Sequence, residues 1–95
     1  MTAPALTTYP YGLRIVGGTD ATILRYDKLH VKSLIFFPDA NSGTVAITDG
    51  AGNAIMTIVG NATAGIATQI DINSYFDGIG ADFSGTASVL LVILD

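Results

Sequence analysis

The chain has 95 residues, no cysteine, 13% charged residues and a net charge of −4. This is the size of one domain, with neither a disulfide framework nor a thiolate metal site. Binding nucleic acid calls for clustered Lys and Arg; Arg14, Arg25, Lys28 and Lys32 are the only basic residues, so no nucleic-acid partner is expected.

All the acids are Asp, a turn and cap residue, and the good helix former Glu is absent. Strands joined by turns are therefore predicted. Residues 1–12 carry Pro4 and Pro10, which remove backbone donors and fix φ. They are read as an extended N-terminal arm that joins neither sheet nor helix. Leu6, Tyr9 and Tyr11 are spaced apolar anchors along it, and candidate contacts with a neighbouring subunit. The start shows no basic n-region or apolar h-region, so no signal peptide is expected.

Residues 13–95 are read as a single domain. Leu13–Val16 and Thr22–Arg25 are short strands, and Leu29–Lys32 alternates apolar and polar. The alternation fails over Leu34–Phe37, where both faces are apolar, and a bulge near Ser33 would explain the change of phase. Pro38–Gly43 has the composition of a turn.

Residues 42–59 form the clearest element, a β-hairpin. Asp49 opens a type I turn through Gly50 and Ala51, and Gly52 supplies the left-handed residue that follows. The predicted register sets Ile47 against Ile55 and Val45 against Thr57. That leaves Ala46, Met56 and Ile58 on the other face, with Met56 and Ile58 as candidate subunit contacts. Residues 60–65 read as a loop and Ile66–Ile72 as a half-buried strand. Ser74–Asp77 reads as a turn or one helical turn, and Gly78–Asp82 as loop or irregular strand. Thr86–Leu94 is apolar on both faces and is predicted to be central. Its longest apolar run, Val89–Leu94, is far short of the roughly 20 residues of a membrane helix, and no membrane partner is expected.

Short strands with Gly, Asp and Asn punctuation predict an all-β fold, an antiparallel β-sandwich of jelly-roll-like or Ig-like form, with a small closed barrel as the alternative. The predicted core is Ile15, Leu29, Val31, Phe36, Val45, Ile47, Ile55, Ile70, Ile72, Val89, Leu91 and Ile93. Mean hydropathy is +0.53 at 9.8 kDa. So few charges cover the roughly 5,000 Å² of a monomer this size poorly. Thr, Ser, Asn and Gly carry the remainder, or other subunits cover part of it.

No catalytic set emerges, and no cofactor, metal or catalytic residue is expected. His30 is the only histidine; between Leu29 and Val31 it reads as a surface residue without a nucleophile to serve. Asp39-Ala-Asn41 begins like a calcium loop but lacks the fifth-position ligand and the closing Glu, so turn chemistry explains both side chains. Gly78-Ile-Gly80 lacks the third glycine of a dinucleotide fingerprint and a following helix. Asn61-Ala-Thr63 fits a glycosylation sequon, read as a chance match in a chain with no expected signal peptide. A sugar-stacking role for the four Tyr is a competing reading, without Trp to strengthen it.

Two segments carry a family resemblance. Gly43-Thr-Val-Ala-Ile-Thr-Asp-Gly-Ala-Gly-Asn53 is similar to an Ile-Thr-Asp-x-x-Gly-Asn hairpin. Asp77-Gly-Ile79 followed by Ser84-Gly-Thr-Ala-Ser-Val-Leu90 is similar to an Asp-Gly-Leu…Ser-Gly-Thr-Ala-x-Val ending. Together, over residues 32–95, they resemble small β-sandwich virion proteins of tailed bacteriophages. The resemblance implies a non-enzymatic structural protein made in the host cytoplasm and placed in the virion. It would act as a capsid decoration (cement) protein, as a symmetric homo-oligomer on the major capsid protein or other virion proteins, with the arm lying on the capsid or an adjacent subunit. A tail or head–tail component and a ligand- or glycan-binding β-sandwich module are the alternatives.

Overall fold

The structure is a computed structural model, and it describes residues 5–17, 22–84 and 87–94. Seven strands account for most of these: β1 (Ala5–Tyr9), β2 (Gly12–Val16), β3 (Thr22–Phe37), β4 (Thr44–Thr48), β5 (Ala54–Val59), β6 (Thr68–Phe83) and β7 (Val89–Leu94). They form one sheet in the order β1-β2-β7-β3-β6-β4-β5, and every pairing is antiparallel. The fold is all-β, as predicted. Within the described residues β1 pairs only with β2 and β5 only with β4, so the sheet is open and does not close into a barrel.

β3 and β6 are each 16 residues long. A straight strand of that length would span about 54 Å, yet the longest dimension of the molecule is 32 Å. Both strands must therefore bend, and bulges let them. At the middle of the pair, Val31 faces Ser74 and Ser33 faces Asp71, so Lys32 stands against Ile72 and Asn73. Asn73 takes a left-handed φ of 51°, a region Asn tolerates better than most side chains. Nearer the start of β3 the register slips again between Arg25 and Lys28, opposite Gly78 at φ 89°. The bulged residues there are tied by a two-pronged ion pair, Arg25 Nε to Asp27 Oδ1 at 2.7 Å and Nη2 to Oδ2 at 2.6 Å.

The bends fold the sheet over as a sandwich. One half holds β1, β2, β7, the end of β3 and the start of β6. The other holds the start of β3, the end of β6, β4 and β5. The core lies between them: Leu13 and Ile15, Leu29, Val31, Leu34 and Phe36, Val45 and Ile47, Ile58, Phe76, Ile79, Ala81 and Phe83, Leu90 and Val92. Phe36 and Phe83 meet across it at 6.2 Å between ring centroids. The bulge expected near Ser33 is present, and it is what turns both Val31 and Leu34 inward.

Several expectations are corrected. The arm is not free of the sheet: from Ala5 onward it is the edge strand β1, and Met1–Pro4 lie outside the described residues. Pro10 sits with Tyr11 in the turn between Tyr9 and Gly12, where its fixed φ fits and no ladder donor is needed. Ser74–Asp77, read as a turn or one helical turn, is part of β6, because the left-handed Asn73 is absorbed as a bulge and does not end the strand. Gly78–Asp82 is the irregular strand of its two readings, with Gly78 opposite the extra β3 residues Tyr26 and Asp27.

In the central hairpin the turn is as predicted: Gly52 N–H donates to Asp49 O at 3.2 Å, with Gly52 at φ 87°. The register is not. Ile47 faces Met56 and Val45 faces Ile58, because β5 carries an extra residue, Ile55, between Ala54 and Met56. In β7 the inward residues are Leu90 and Val92; Val89, Leu91 and Ile93 face outward. Ile70 and Ile72 are partly buried against the core.

Candidate interaction surfaces

The inner faces are consumed by the core, so any function lies on the loops, the edges and the outer faces. Asp39 is a loop staple. Its carboxylate accepts the Ala87 N–H at 3.0 Å and the Ser88 hydroxyl at 2.8 Å, and Ser88 Oγ in turn accepts the Asp39 N–H at 3.0 Å. These bonds, the Ala87 amide first, hold the Asp39 carboxyl below the usual carboxylate range. Asn41 Oδ1 accepts the Ala64 N–H, and Asn61 Oδ1 accepts the Thr63 N–H. Asp49 accepts the Ala51 and Asn53 N–H groups at 2.9 Å, and the Asn53 bond chiefly lowers its pKa. All of these side chains build turns. Among the described residues no three His, Cys, Asp or Glu converge as metal ligands.

His30 lies on the outer side of β3 against Tyr75 of β6, at 4.6 Å between rings, and Lys28 Nζ stands 5.1 Å from the same ring. Tyr26 and Tyr75 are largely exposed. Beside the central bulge, Lys32, Ser33, Gln69, Asp71 and Asn73 line an open cleft of about 480 Å³. There Ser33 Oγ and Gln69 Nε2 both donate to Asp71 Oδ1, at 2.9 and 3.0 Å. The Gln69 and Ser33 bonds, and then the Lys32 charge, lower the pKa of the Asp71 carboxyl.

The sequence-predicted contact residues fall in three places. Leu6 faces Ile15 and packs against the chain's own core. Tyr9 and Tyr11 stack on each other at 5.2 Å, each 40% exposed, across the β1–β2 turn. Met56 and Ile58 lie on the inner side of β5, Ile58 at 1% exposure. The slipped register therefore withdraws Ile58 as a subunit contact and leaves Met56 packed against the core, while Ile55 at 37% and Val59 at 62% face solvent instead.

A different surface stands out that periodicity missed. On the outer side of the first half-sheet the register lays down three rows. Val16, Val89 and Phe37 form one. Arg14, Leu91, Ile35 and Gln69 form the next. Tyr9, Gly12, Ile93, Ser33 and Asp71 form the third. Six of these side chains, Val16, Phe37, Val89, Leu91, Ile35 and Ile93, are apolar, and all six are only partly covered. The sequence signal for this face was the two-sided apolar character of Leu34–Phe37 and Val89–Leu94. Comparison with models of known protein families, with curated proteins and with solved structures finds no match for the chain.

Proposed function

We propose that the chain is a non-enzymatic structural protein of a bacteriophage particle, acting as a capsid decoration protein through subunit contacts. The observation that supports this reading most is the outer face of the first half-sheet. It is apolar on three adjacent strands, β2, β7 and β3, in a chain with only 13% charged residues. Contiguous apolar surface on a small domain marks a place where another protein sits. The similarity of residues 43–53 and 77–90 to phage virion segments supplies the particle.

Co-sedimentation of the purified protein with phage heads tests the reading. Saturable binding that raises the temperature at which heads rupture is the expected result. Protein that stays in the supernatant at saturating concentration overturns it. The polar cleft beside Asn73 favours the ligand-binding alternative; tyrosine fluorescence that shifts on titration with sugars, without head binding, would select that one.

A further inference from the structure

We infer that the outer face of the first half-sheet docks a second copy of this chain, in a two-fold, face-to-face dimer held at each end by Arg14 against the partner's Asp71. The inference rests on the reading above only in supposing that the chain works through subunit contacts. Three observations carry it. Val16, Val89, Phe37, Leu91, Ile35 and Ile93 form one apolar strip. Arg14 closes the β2 end of that strip, half-buried beside Leu91, and has no carboxylate partner among the described residues. Asp71 closes the β6 end, and both of its hydrogen bonds fall on Oδ1, leaving Oδ2 with no donor among the described residues.

Arg14 and Asp71 are three strand spacings apart, about 14 Å, too far to meet within one chain. Pairing two copies solves this for one orientation of the axis. If the two-fold axis runs along the strands, between β7 and β3, the strand order of the partner is reversed. β2 then lies over the partner's β6 and β7 over its β3. Arg14 comes over Gln69 of the partner subunit, one step along the strand from Asp71 of the partner subunit, within reach of its long side chain. Leu91 meets Ile35 of the partner subunit, and Val89 meets Phe37 of the partner subunit. If the axis instead ran across the strands, β2 would lie over β2 and the two Arg14 side chains would approach each other. Charge therefore selects the first arrangement. Its near-parallel strands also match the aligned class of sheet packing, with an angle near −30°. The face is about 19 Å wide and about 17 Å long, roughly 300 Å² per copy, which is below the standard interface size, so the dimer is expected to be weak.

Sedimentation equilibrium on the full chain over about 1–100 µM reads the outcome directly. The wild-type protein is expected to move from monomer to dimer over this range. Leu91→Lys should leave it monomeric with an unchanged circular dichroism spectrum. Arg14→Asp and Asp71→Arg should each raise the dissociation constant at least tenfold, and the double swap should recover most of the loss. The charge variants keep the test decisive if Leu91→Lys fails to fold. A wild-type protein that is monomeric at 100 µM overturns the inference, and so does an oligomer that survives the Leu91 and Arg14 changes. A monomer that still binds heads defeats this interface and leaves the decoration reading standing. A dimer that ignores heads does the reverse.

Discussion

At Gly78 the backbone holds φ at 89°, and a Cβ built there would stand 2.5 Å from the Arg25 carbonyl oxygen and 2.7 Å from Gly50 Cα. The Gly50 N–H donates to Asp77 O at 2.8 Å at the same spot, so backbone meets backbone where the tip of the β4–β5 hairpin is seated on the β3–β6 bulge. Gly78→Ala adds both a strained φ and a clash with backbone that cannot swing aside. A loss of about 3 kcal/mol is expected, read as a lower urea midpoint at constant m; a loss under half a kcal/mol would mean that the hairpin tip does not dock there. Asp39 supports a pH prediction. Its folded pKa is depressed by the Ala87 and Ser88 donors, so its stabilisation is complete above the unfolded value, about 3.9, and is lost as pH falls through the folded one. Wild-type protein should lose thermal stability below about pH 4. Asp39→Asn should be less stable at pH 7, with the gap narrowing as the solution is acidified. Two melting curves that run parallel across that range would contradict the assignment.

At the scale of the element, β5 shows how much depends on one residue. The turn at Asp49–Gly52 was legible because its chemistry is local: an Asp that accepts two turn amides and a Gly at positive φ. The ladder beyond it was not, because the bulge at Ile55 follows from packing against the rest of the molecule, and a one-residue slip exchanges the two faces of a strand. With residues that are apolar on both faces, nothing in the pattern betrays the exchange. Lysine substitutions along β5 separate the two registers. Ile58→Lys and Met56→Lys should unfold or severely destabilise the domain, while Val59→Lys should leave the melting temperature within a few degrees. If Val59→Lys unfolds the protein and Met56→Lys does not, Ile47 does not pair with Met56 and the hairpin has the other register.

Across the whole molecule, the same ambiguity separates what could be read from what could not. Strand content, the Ser33 bulge and the central position of the last strand followed from composition and alternation. The phase of β7 did not, since Val89 and Leu90 are equally apolar, and the choice of Leu90 and Val92 as core is made by their neighbours β2 and β3. Nor did the length of β6, since Asn73 and Gly78 look like turn residues until a partner strand absorbs them. The apolar outer face was hidden for a related reason: it is assembled from β2, β3 and β7, which lie far apart in the chain, and the two-sided apolar runs in β3 and β7 do not say which strands adjoin.

The placement of β7 between β2 and β3 has a kinetic consequence. Among the described residues β2 and β3 do not pair with each other and are bridged in the sheet by β7, so the closing contacts are between residues far apart in sequence, the topology that folds slowly. On the ribosome, the stretch from Phe37 to Val89 takes roughly 3–10 s to synthesise. Until then β2 and the end of β3 lack the strand that joins them. The strand that completes the sheet also supplies Val89, Leu91 and Ile93, the middle of its outer face. Nascent chains crowded on one message therefore do not yet carry that surface. The apolar outer face is complete only once β7 takes its place, so it arrives together with the finished sheet.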